Sequence, residues 1–254
     1  DSVAEEIKEN ALIMDVTSIK KPAVDAMLKT KAKYVVGTHP MFAPTVSIVG
    51  QVFVLSEGRC SEGFSFLKKI FGDAGAIIRE MDAEKHDELM TVVQTLNHFT
   101  DIAFARALSK TGLEIHDFLE LQSPSYRLRL IMMGRILAQN GRLYGNIMTQ
   151  NPLNEKAIEI FHEASSELEE IVKSQNLDDF EQYFDESAAY LQDFAGTAMK
   201  ESDMIIKQIF QKNVSEAQWD KDELAEVAIL GPKNTYSDFA CDEVFGKDSP
   251  RRYC

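Results

Sequence analysis

The most constraining feature of this sequence is a change of pattern at Ala83. Before it, short apolar runs alternate with amphipathic segments, an order typical of a parallel sheet whose strands are joined by helices. After it, helical periodicity continues through residues 83–212 with sparse glycine, as in domains of long packed helices. The pattern therefore predicts an α/β part followed by a mainly α-helical domain.

The apolar periodicity also predicts the individual elements. In residues 1–82 we predict helices at 2–9, 20–29 and 61–72 and strands at 11–16, 34–37, 51–55 and about 76–80. In residues 83–212 we predict helices at 83–110, 114–121, 124–149, 153–174, 178–186 and 187–211. Residues 213–254 contain a polar linker and a strand at 226–230, and are too few to bury a core. They are predicted to begin another domain or to dock on the first.

Two strand ends define the predicted site. The apolar run at 11–16 breaks into Thr17-Ser18-Ile19-Lys20, and the run at 35–36 breaks into a loop that carries His39 next to Pro40. In an open α/β sheet, neighbouring parallel strands that end in polar loops form a ligand crevice. We therefore expect the chemistry of this chain at these two loops.

Charge and cysteine content exclude several classes of function. The chain has 41 acidic and 27 basic residues, a formal charge of -14, which disfavours nucleic acid and anionic membranes because both repel such a surface. No apolar run approaches the roughly 20 residues that cross a bilayer. The three cysteines (Cys60, Cys241, Cys254) lack a C-x-x-C spacing, which argues against disulfides and zinc and fits a reducing, cytoplasmic compartment. The five histidines form no H-x-x-x-H pair, so no metal site is predicted.

The predicted helix at 83–110 carries an unusual polar stripe. At 100° per residue, five polar side chains fall within about 40° of one line, namely Asp87, Thr91, Gln94, His98 and Asp101. Leu89, Val92 and Val93 lie on the opposite side. Either this stripe is the solvated face of an ordinary amphipathic helix, or it faces a polar cavity or another subunit.

Arg135 lies in a segment, residues 130–138, that is apolar almost all round, and it is predicted to be embedded. A buried unpaired charge is costly, so this guanidinium needs an anionic partner. The partner is either an acidic side chain in a structural ion pair or the carboxylate of a ligand. Arg127 lies about 80° from Arg135 around the same helix. It either faces the same region or is an exposed or capping residue.

Five strings in register resemble the prephenate dehydrogenase family. They are residues 15–20 (DVTSIK), 37–42 (GTHPMF), 86–87 (HD) with Gln94 and His98, 123–128 (SPSYRL), and 134–135 (GR) with 138–139 (AQ). Their order and spacing agree from Asp15 to about Phe210. Separately, residues 230–237 (LGPKNTYS) resemble the opening strand and loop of a prephenate dehydratase domain, with Asn234 where glycine is common. Together these resemblances imply a multifunctional protein of tyrosine and other aromatic amino acid biosynthesis.

The resemblance implies an NAD(P)-dependent oxidative decarboxylation of prephenate to 4-hydroxyphenylpyruvate. Residues 1–82 would be the C-terminal part of a Rossmann-like nucleotide-binding domain, and residues 83–212 a helical domain that binds substrate and forms a homodimer. His39 is similar to the histidine that takes the proton of the ring hydroxyl as hydride departs. That role suits a neutral imidazole with a pKa near the working pH.

Other roles follow from the same matching motifs. Ser18 is similar to the serine beside the hydroxyl and the nicotinamide, and Lys20 to a lysine at the mouth of the site. Arg135 is similar to the arginine that binds a prephenate carboxylate, and His98 to the histidine that faces the substrate side chain. Further matching positions are Gln94, Arg127 and His86 on the substrate side, and Thr17 and Pro40 on the cofactor side.

The chain departs from the family pattern in two places. Ala43 stands where glycine is common, and would strain the loop if that position needed a positive φ. No G-x-G-x-x-G turn, which would bind the cofactor pyrophosphate at a helix N-terminus, occurs in the 254 residues. We therefore expect a fragment of a longer protein, which by itself binds NAD poorly and is inactive.

Three other readings stay open on these residues. The residues are compatible with a non-catalytic helical dimerisation or regulatory module with a degenerate site. It is also compatible with an arogenate-specific dehydrogenase, or with a related β-hydroxyacid dehydrogenase, although residues 39–42 (HPMF) argue against the last. The choice between NAD and NADP depends largely on the glycine-rich half of the fold.

Overall fold

The computed structural model describes residues 6–210, 227–229, 233, 236–245 and 251–253. The chain divides into two compact units, Asp1–Ala195 and Gly196–Cys254. The predicted helix at 2–9 falls mostly outside the described residues, and within them it reaches only Glu6. The predicted linker from residue 213 and most of the loop at 230–235 also lie outside them.

The first unit opens with a four-stranded sheet in the order β1-β2-β3-β4. Its elements are β1 (Leu12–Met14), α1 (Lys21–Leu28), β2 (Tyr34–Pro40), β3 (Val52–Arg59), α2 (Ser61–Asp73) and β4 (Ile77–Glu80). The pairs β1/β2 and β3/β4 are parallel, as the alternation of strands and helices predicts. The pair β2/β3 is antiparallel, because the 41–51 connection contains no crossover helix.

The sheet has a core on each face. Adjacent residues of β2 point to opposite faces, so Val35 packs with Val24 and Met27 while Val36 packs with Phe53, Leu55 and Leu67. Burial of each such side chain contributes about 1.5–3 kcal/mol. Gly37 lets α1 approach closely, since a Cβ there would lie 2.6 Å from Cγ2 of Val24. This close packing fixes the start of α1 against β2.

The rest of the first unit is helical, as predicted. The elements are α3 (Ala83–Met90), a π-helical segment (Thr91–Leu96), α4 (Asn97–Lys110), α5 (Ile115–Glu120), α6 (Pro124–Leu137), α7 (Gly141–Gln150), α8 (Asn154–Ser174) and α9 (Leu177–Leu191). The next helix, α10 (Phe194–Phe210), continues into the second unit. Within the described residues, no helix is long and apolar enough to cross a membrane.

Two helix boundaries differ from the prediction. The single helix predicted at 124–149 is α6 followed by α7, because the Asn140 side chain accepts a hydrogen bond from the Arg142 N–H and caps a new helix. The break predicted between 186 and 187 lies instead at Gln192, whose φ of 50° is left-handed and ends α9. Periodicity runs through both breaks, so it could not locate them.

In the second unit, the described residues after α10 form a small parallel β-α-β arrangement. Strands β5 (Val227–Ile229) and β6 (Arg251–Tyr253) pair in parallel, and α11 (Tyr236–Phe245) lies between them in sequence. The buried Asp238 accepts hydrogen bonds from Arg251 at 3.0 Å and from the Tyr253 hydroxyl at 2.7 Å. The strand predicted at 226–230 is thus confirmed at residues 227–229.

Candidate active site

Lys20 joins the ends of β1 and β2. Its ammonium is fully buried and donates to the Asp15 carboxylate, to Thr17 Oγ1 at 3.2 Å and to the Thr38 carbonyl at 2.5 Å. Asp15 also accepts from the Thr38 N–H at 3.0 Å. Burial lowers the pKa of Lys20, and its hydrogen bond to Asp15 opposes that shift. The prediction of a lysine at the mouth of the site is therefore wrong: the carboxylate and carbonyl acceptors at the strand ends draw Lys20 inside.

His39 lies within β2 and not in a loop after it. The strand continues through Pro40, and His39 pairs with Val54 of β3, because the antiparallel partner extends the ladder beyond residue 37. The His39 side chain is 3% exposed. The predicted loop position is corrected in this respect, and the sheet holds the imidazole more rigidly than a loop would.

Both ring nitrogens of His39 have partners from the helical part. Its Nδ1 lies 2.9 Å from Nε2 of His86, and its Nε2 lies 3.3 Å from Nε2 of Gln94. Burial lowers the pKa of His39 to about 3, with the neighbouring His86 ring and the Lys20 ammonium acting in the same direction. This pKa lies well below the near-working-pH value expected from the sequence, because the ring is enclosed. His39 is consequently a neutral imidazole at physiological pH.

His86 and Asp87 form the layer behind His39. His86 is fully buried, and its Nδ1 lies 2.8 Å from Oδ1 of Asp87. The Asp87 carboxylate also accepts the backbone N–H groups of Lys20 at 2.7 Å and Lys21 at 2.8 Å, where α1 begins. Burial alone would raise the pKa of Asp87, but these three hydrogen bonds outweigh it and keep the pKa below its usual range. Asp87 is therefore ionised.

The polar stripe of α3, the π-helical segment and α4 faces inward. Asp87 and Thr91 are buried and Gln94 and His98 are half-buried, while the apolar residues Leu89, Val92 and Val93 are 40%, 59% and 51% exposed. Of the two readings of this helix, the solvated stripe is wrong. The contacts with β2 and α1 decide the orientation, because they satisfy the buried polar groups that the stripe carries.

Two polar atoms on this stripe are buried without a partner in the described part of the chain. They are Oε1 of Gln94 and Nδ1 of His98. The His98 ring contacts the Tyr144 ring edge-on with centroids 4.9 Å apart, and burial lowers the pKa of His98. Buried polar atoms without partners are rare in folded proteins, so these two mark a place where a ligand would complete the hydrogen bonds.

A cavity of about 540 Å³ lies between the β1–α1 loop and α7. Thr17 and Ser18 line it from the loop, and Asn146 and Gln150 line it from α7. Its volume falls in the range of about 300–1,000 Å³ that is usual for small-molecule sites. The cavity therefore places the predicted Ser18 and Thr17 where a ligand can reach them.

The remaining predicted residues are less buried than His39. Arg135 is exposed on α6 and not embedded, because the apolar neighbours Ile131, Met132 and Leu137 are themselves 44%, 57% and 50% exposed. Its charge nevertheless reaches Tyr144, where it opposes the rise in pKa that burial causes. Arg127 is half-buried on the same helix, and Pro40 is half-buried at the end of β2. The structure thus brings His39, His86, Gln94 and Lys20 together and leaves Arg135 beside Tyr144.

Sequence reasoning missed two buried asparagines at the start of α8. Asn151 donates to the Asp87 carbonyl at 2.8 Å, and Asn154 donates to the Ile147 and Met148 carbonyls at 3.0 Å each. Thr95 of the π-helical segment donates to Asn154 Oδ1 at 2.9 Å. The available signal was an Asn-Pro helix start, which predicts a cap but not its long-range partners. These contacts tie α7 and α8 to the site helix.

Ala43 does not strain its loop. Within the described residues, the non-glycine positions with positive φ are Cys60, Gln175 and Gln192. Ala43 is not among them, so the strain expected from a positive φ at this position does not arise.

Most of the chain is similar to known proteins. A profile described as "Prephenate dehydrogenase, nucleotide-binding domain" matches residues 1–78, and one described as "Prephenate dehydrogenase, dimerization domain" matches residues 82–186. The "T-protein" of Haemophilus influenzae is 33% identical over 80% of this chain and 54% of its own length. A "Probable arogenate/prephenate dehydrogenase" of Methanocaldococcus jannaschii is 33% identical over 74% of this chain and 44% of its own length. The chain thus spans about half the length of these relatives.

The fold is also similar to that of a solved structure. Prephenate dehydrogenase from Aquifex aeolicus, in complex with hydroxyphenyl propionate and NAD+, superposes with a TM-score of 0.58 at 20% identity. The match covers 76% of this chain and 70% of that chain. At this identity the likeness bears on the fold, and it agrees with the predicted order of an α/β part followed by a helical domain.

Proposed function

The chain belongs to the prephenate dehydrogenase family, and we propose that it supplies the substrate side of an NAD(P)-dependent oxidative decarboxylation of prephenate to 4-hydroxyphenylpyruvate. One observation carries the proposal. The neutral His39 directs Nε2 toward Gln94, whose Oε1, like Nδ1 of His98, is buried without a partner in the described residues. This arrangement suits a ligand that offers both a hydroxyl group and further polar atoms.

His39 is proposed as the proton acceptor. As hydride leaves the ring carbon with its electron pair, the O–H bond of the hydroxyl on that carbon breaks. The proton moves to Nε2 of His39, and the O–H electrons form a carbonyl. The electrons of the bond to the carboxylate then enter the ring, carbon dioxide leaves, and the ring becomes aromatic. The ring oxygen takes back one proton, so His39 ends the cycle neutral.

The cofactor is proposed to enter the cavity beside Ser18. When bound, NAD or NADP supplies the hydride acceptor. Thr17 and Ser18 offer hydroxyl groups there, while Pro22, Ala23 and Ile147 offer apolar surface to a flat ring. Pro40, at the end of β2, is proposed to lie on the same side. The chain has no glycine-rich turn, so no pyrophosphate-binding residues are proposed within it.

The overall reaction is tested with the full-length protein. We expect NADH absorbance to rise and 4-hydroxyphenylpyruvate to form when prephenate and NAD+ are supplied together. Arogenate and NADP+, tested in parallel, decide the preferred substrate and cofactor. Absence of reduced cofactor with every combination would contradict the proposal and favour a non-catalytic module.

Arg135 is proposed to bind a carboxylate of prephenate, and this gives a prediction. Its guanidinium is exposed and lies near Tyr144, which contacts His98, so a ligand that reaches His98 can meet it. A charge-assisted hydrogen bond is worth about 1.5–3 kcal/mol, so Arg135→Ala should raise KM for prephenate about 10- to 100-fold with little change in kcat.

The matched control is Arg129→Ala. Arg129 lies on the same helix and is exposed, with its guanidinium 4.0 Å from the centroid of the Phe104 ring. We expect KM to stay within about twofold of the wild-type value, since rim charges contribute little. An unchanged KM for Arg135→Ala would count against the assignment. The same comparison applied to Arg127→Ala, His98→Asn and Gln94→Ala tests their proposed roles in substrate binding.

We also propose that the helical domain forms a homodimer. A groove between the π-helical segment and α8 is lined by Val92, Leu153 and Ile160, which are 59%, 48% and 54% exposed in the single chain. Such apolar exposure is typical of a surface that a second copy covers. The dimerization-domain profile spans all three residues, which supports a second copy as the occupant.

The groove predicts the effect of one substitution. Ile160→Glu would bury a charge at the interface, so we expect sedimentation velocity at micromolar concentration to show a monomer in place of a dimer. Val172→Glu is the control, because Val172 is 60% exposed on the same helix but does not line the groove. A dimer that persists in the Ile160 variant would exclude this surface.

For the second unit we propose the start of a prephenate dehydratase-like domain. Its parallel strands, with a helix between them in sequence, form a β-α-β unit, the usual building block of α/β domains, which supports the proposal. Formation of phenylpyruvate from prephenate by the full-length protein without NAD+ would be the expected activity. Its absence would contradict this proposal and leave the dehydrogenase untouched.

A further inference from the structure

Behind His39, a chain of hydrogen bonds runs across two buried side chains. It passes from Asp87 Oδ1 to His86 Nδ1 over 2.8 Å, and from His86 Nε2 to His39 Nδ1 over 2.9 Å. All three residues are at most 5% exposed. This series of hydrogen bonds is therefore shielded from solvent. Its protons must be shared among the three side chains.

The protons of this chain can be assigned from one end. Asp87 is ionised and acts only as an acceptor, so the hydrogen in its contact with His86 belongs to His86 Nδ1. A neutral His86 then has its lone pair on Nε2. The hydrogen shared with His39 must in that case come from His39 Nδ1, which leaves the lone pair of His39 on Nε2, facing Gln94.

We infer that His86 and Asp87 are positioning residues that hold His39 in the tautomer with an unprotonated Nε2, the atom that takes the substrate proton. This inference rests on the proposed function for its reaction, but the tautomer itself is a property of the protein without ligand. Asp87 is separated from His39 by two hydrogen bonds, with His86 between them. It orients the imidazole of His39 as carboxylates orient metal-bound or triad histidines. When His39 becomes an imidazolium, its Nδ1–H still donates to His86, and the Asp87 carboxylate offsets the new charge.

Asp87 also couples His39 to the cofactor side. The same carboxylate that anchors His86 accepts the N–H groups of Lys20 and Lys21, which immediately follow the loop containing Thr17 and Ser18. One side chain on α3 therefore sets both the His39 ring and the start of α1. Asp87 therefore contacts both the histidine behind the proton acceptor and the backbone two residues after Ser18, which lines the cavity.

The first test reads the tautomer directly, without substrate. In the full-length protein labelled with 15N-histidine, two-bond nitrogen–hydrogen couplings should show His39 protonated at Nδ1 and bare at Nε2, with His86 in the same tautomer. In His86→Leu, which removes the acceptor but keeps an apolar side chain in a buried place, the Nε2-protonated form of His39 should appear. A wild-type His39 protonated at Nε2, or a doubly protonated His86, would overturn the assignment.

The second test reads turnover. We expect kcat with prephenate to fall about 100-fold in His86→Leu while KM stays within about twofold, as for supporting residues behind a catalytic group. His86→Gln, whose side-chain oxygen can accept from His39 Nδ1, should recover about tenfold of that loss. A merely structural role predicts equal losses in both variants, and wild-type kcat in His86→Leu would overturn the inference.

The pH dependence of kcat/KM provides a separate test with the variant Asp87→Asn. The charged and titratable groups that act on His39 are His86 and Asp87 from α3, Asp15 from the end of β1, and Lys20. Asp87 raises the pKa of His39, so its neutralisation should lower that pKa and move the acid limb of kcat/KM to lower pH. Glu88→Gln, the exposed neighbour on the same helix, should leave the limb in place. An unmoved limb in Asp87→Asn would overturn this part.

The outcomes separate the two proposals. If the wild-type protein does not oxidise prephenate, the proposed function fails, and the nitrogen couplings still decide the tautomer. If prephenate is oxidised but His86→Leu behaves like the wild type in couplings and kcat, the reaction stands and the positioning role falls.

Discussion

His39→Asn is expected to reduce kcat for prephenate oxidation by about 10²- to 10⁴-fold, the usual contribution of a general base. Asparagine is close to histidine in size and can hydrogen-bond, but it cannot take up a proton. The ring lies inside β2 with 3% exposure, so the change should alter the chemistry more than substrate access. KM for prephenate should change little, because the proposed carboxylate contacts are made by other residues.

The control for this variant is His116→Asn, an exposed histidine on α5. Its kcat should equal that of the wild type. Stopped-flow measurement of the first turnover separates hydride transfer from product release, since only the first step depends on the proton acceptor. Turnover within tenfold of the wild type in His39→Asn would remove His39 from the proposed role.

Lys20→Met is expected to destabilise the α/β part by about 3–5 kcal/mol, the range for breaking a buried ion pair by removing one partner. The ammonium donates to the Asp15 carboxylate, Thr17 Oγ1 and the Thr38 carbonyl, so three acceptors would lose a donor at once. Amide hydrogen exchange of residues 35–38, in the middle of the sheet, measures the free energy of opening where the change acts.

Lys21→Met is the matched control for this effect. Lys21 is the next residue, but its side chain is 45% exposed and pairs with Asp25 one turn along α1. Such surface pairs contribute about 0–1 kcal/mol. The double variant Lys20→Met with Asp15→Asn should recover part of the loss, because it removes the unpaired carboxylate. Equal destabilisation by both single lysine variants would contradict the structural role assigned to Lys20.

The order of elements could be predicted because it depends on local periodicity. The runs near residues 12–14 and 34–37 are apolar enough to be strands in any fold of this class, and the polar residues after them had to meet if the strands were parallel neighbours. The resemblance in residues 15–20 and 37–42 then gave His39 and Ser18 their proposed roles. The antiparallel pairing of β2 with β3 was harder to predict from the sequence. The relative direction of two strands depends on the segment that connects them and not on the strands themselves.

The orientation of the helices could not be predicted in the same way. Periodicity gives the angle between two side chains on one helix, but it does not say which side faces the protein. For the stripe with Asp87 and Gln94, the choice depends on acceptors and donors far away in sequence, such as the N–H of Lys20 and the ring of His39. Arg135 is the opposite case. The sequence predicts an embedded side chain, but its apolar neighbours on α6 are exposed in the single chain.

The sequence by itself determined the class of fold, the change from α/β to helical structure near Ala83, and the candidate residues on the two strand ends. Only the tertiary structure decided that Lys20 is buried, that His39 sits inside a strand, and that His86 and Asp87 stand behind it. The physical reason is that local pattern reflects propensity and burial averaged along one element. Hydrogen bonds such as that between His86 and His39, 47 residues apart, exist only once the elements have packed.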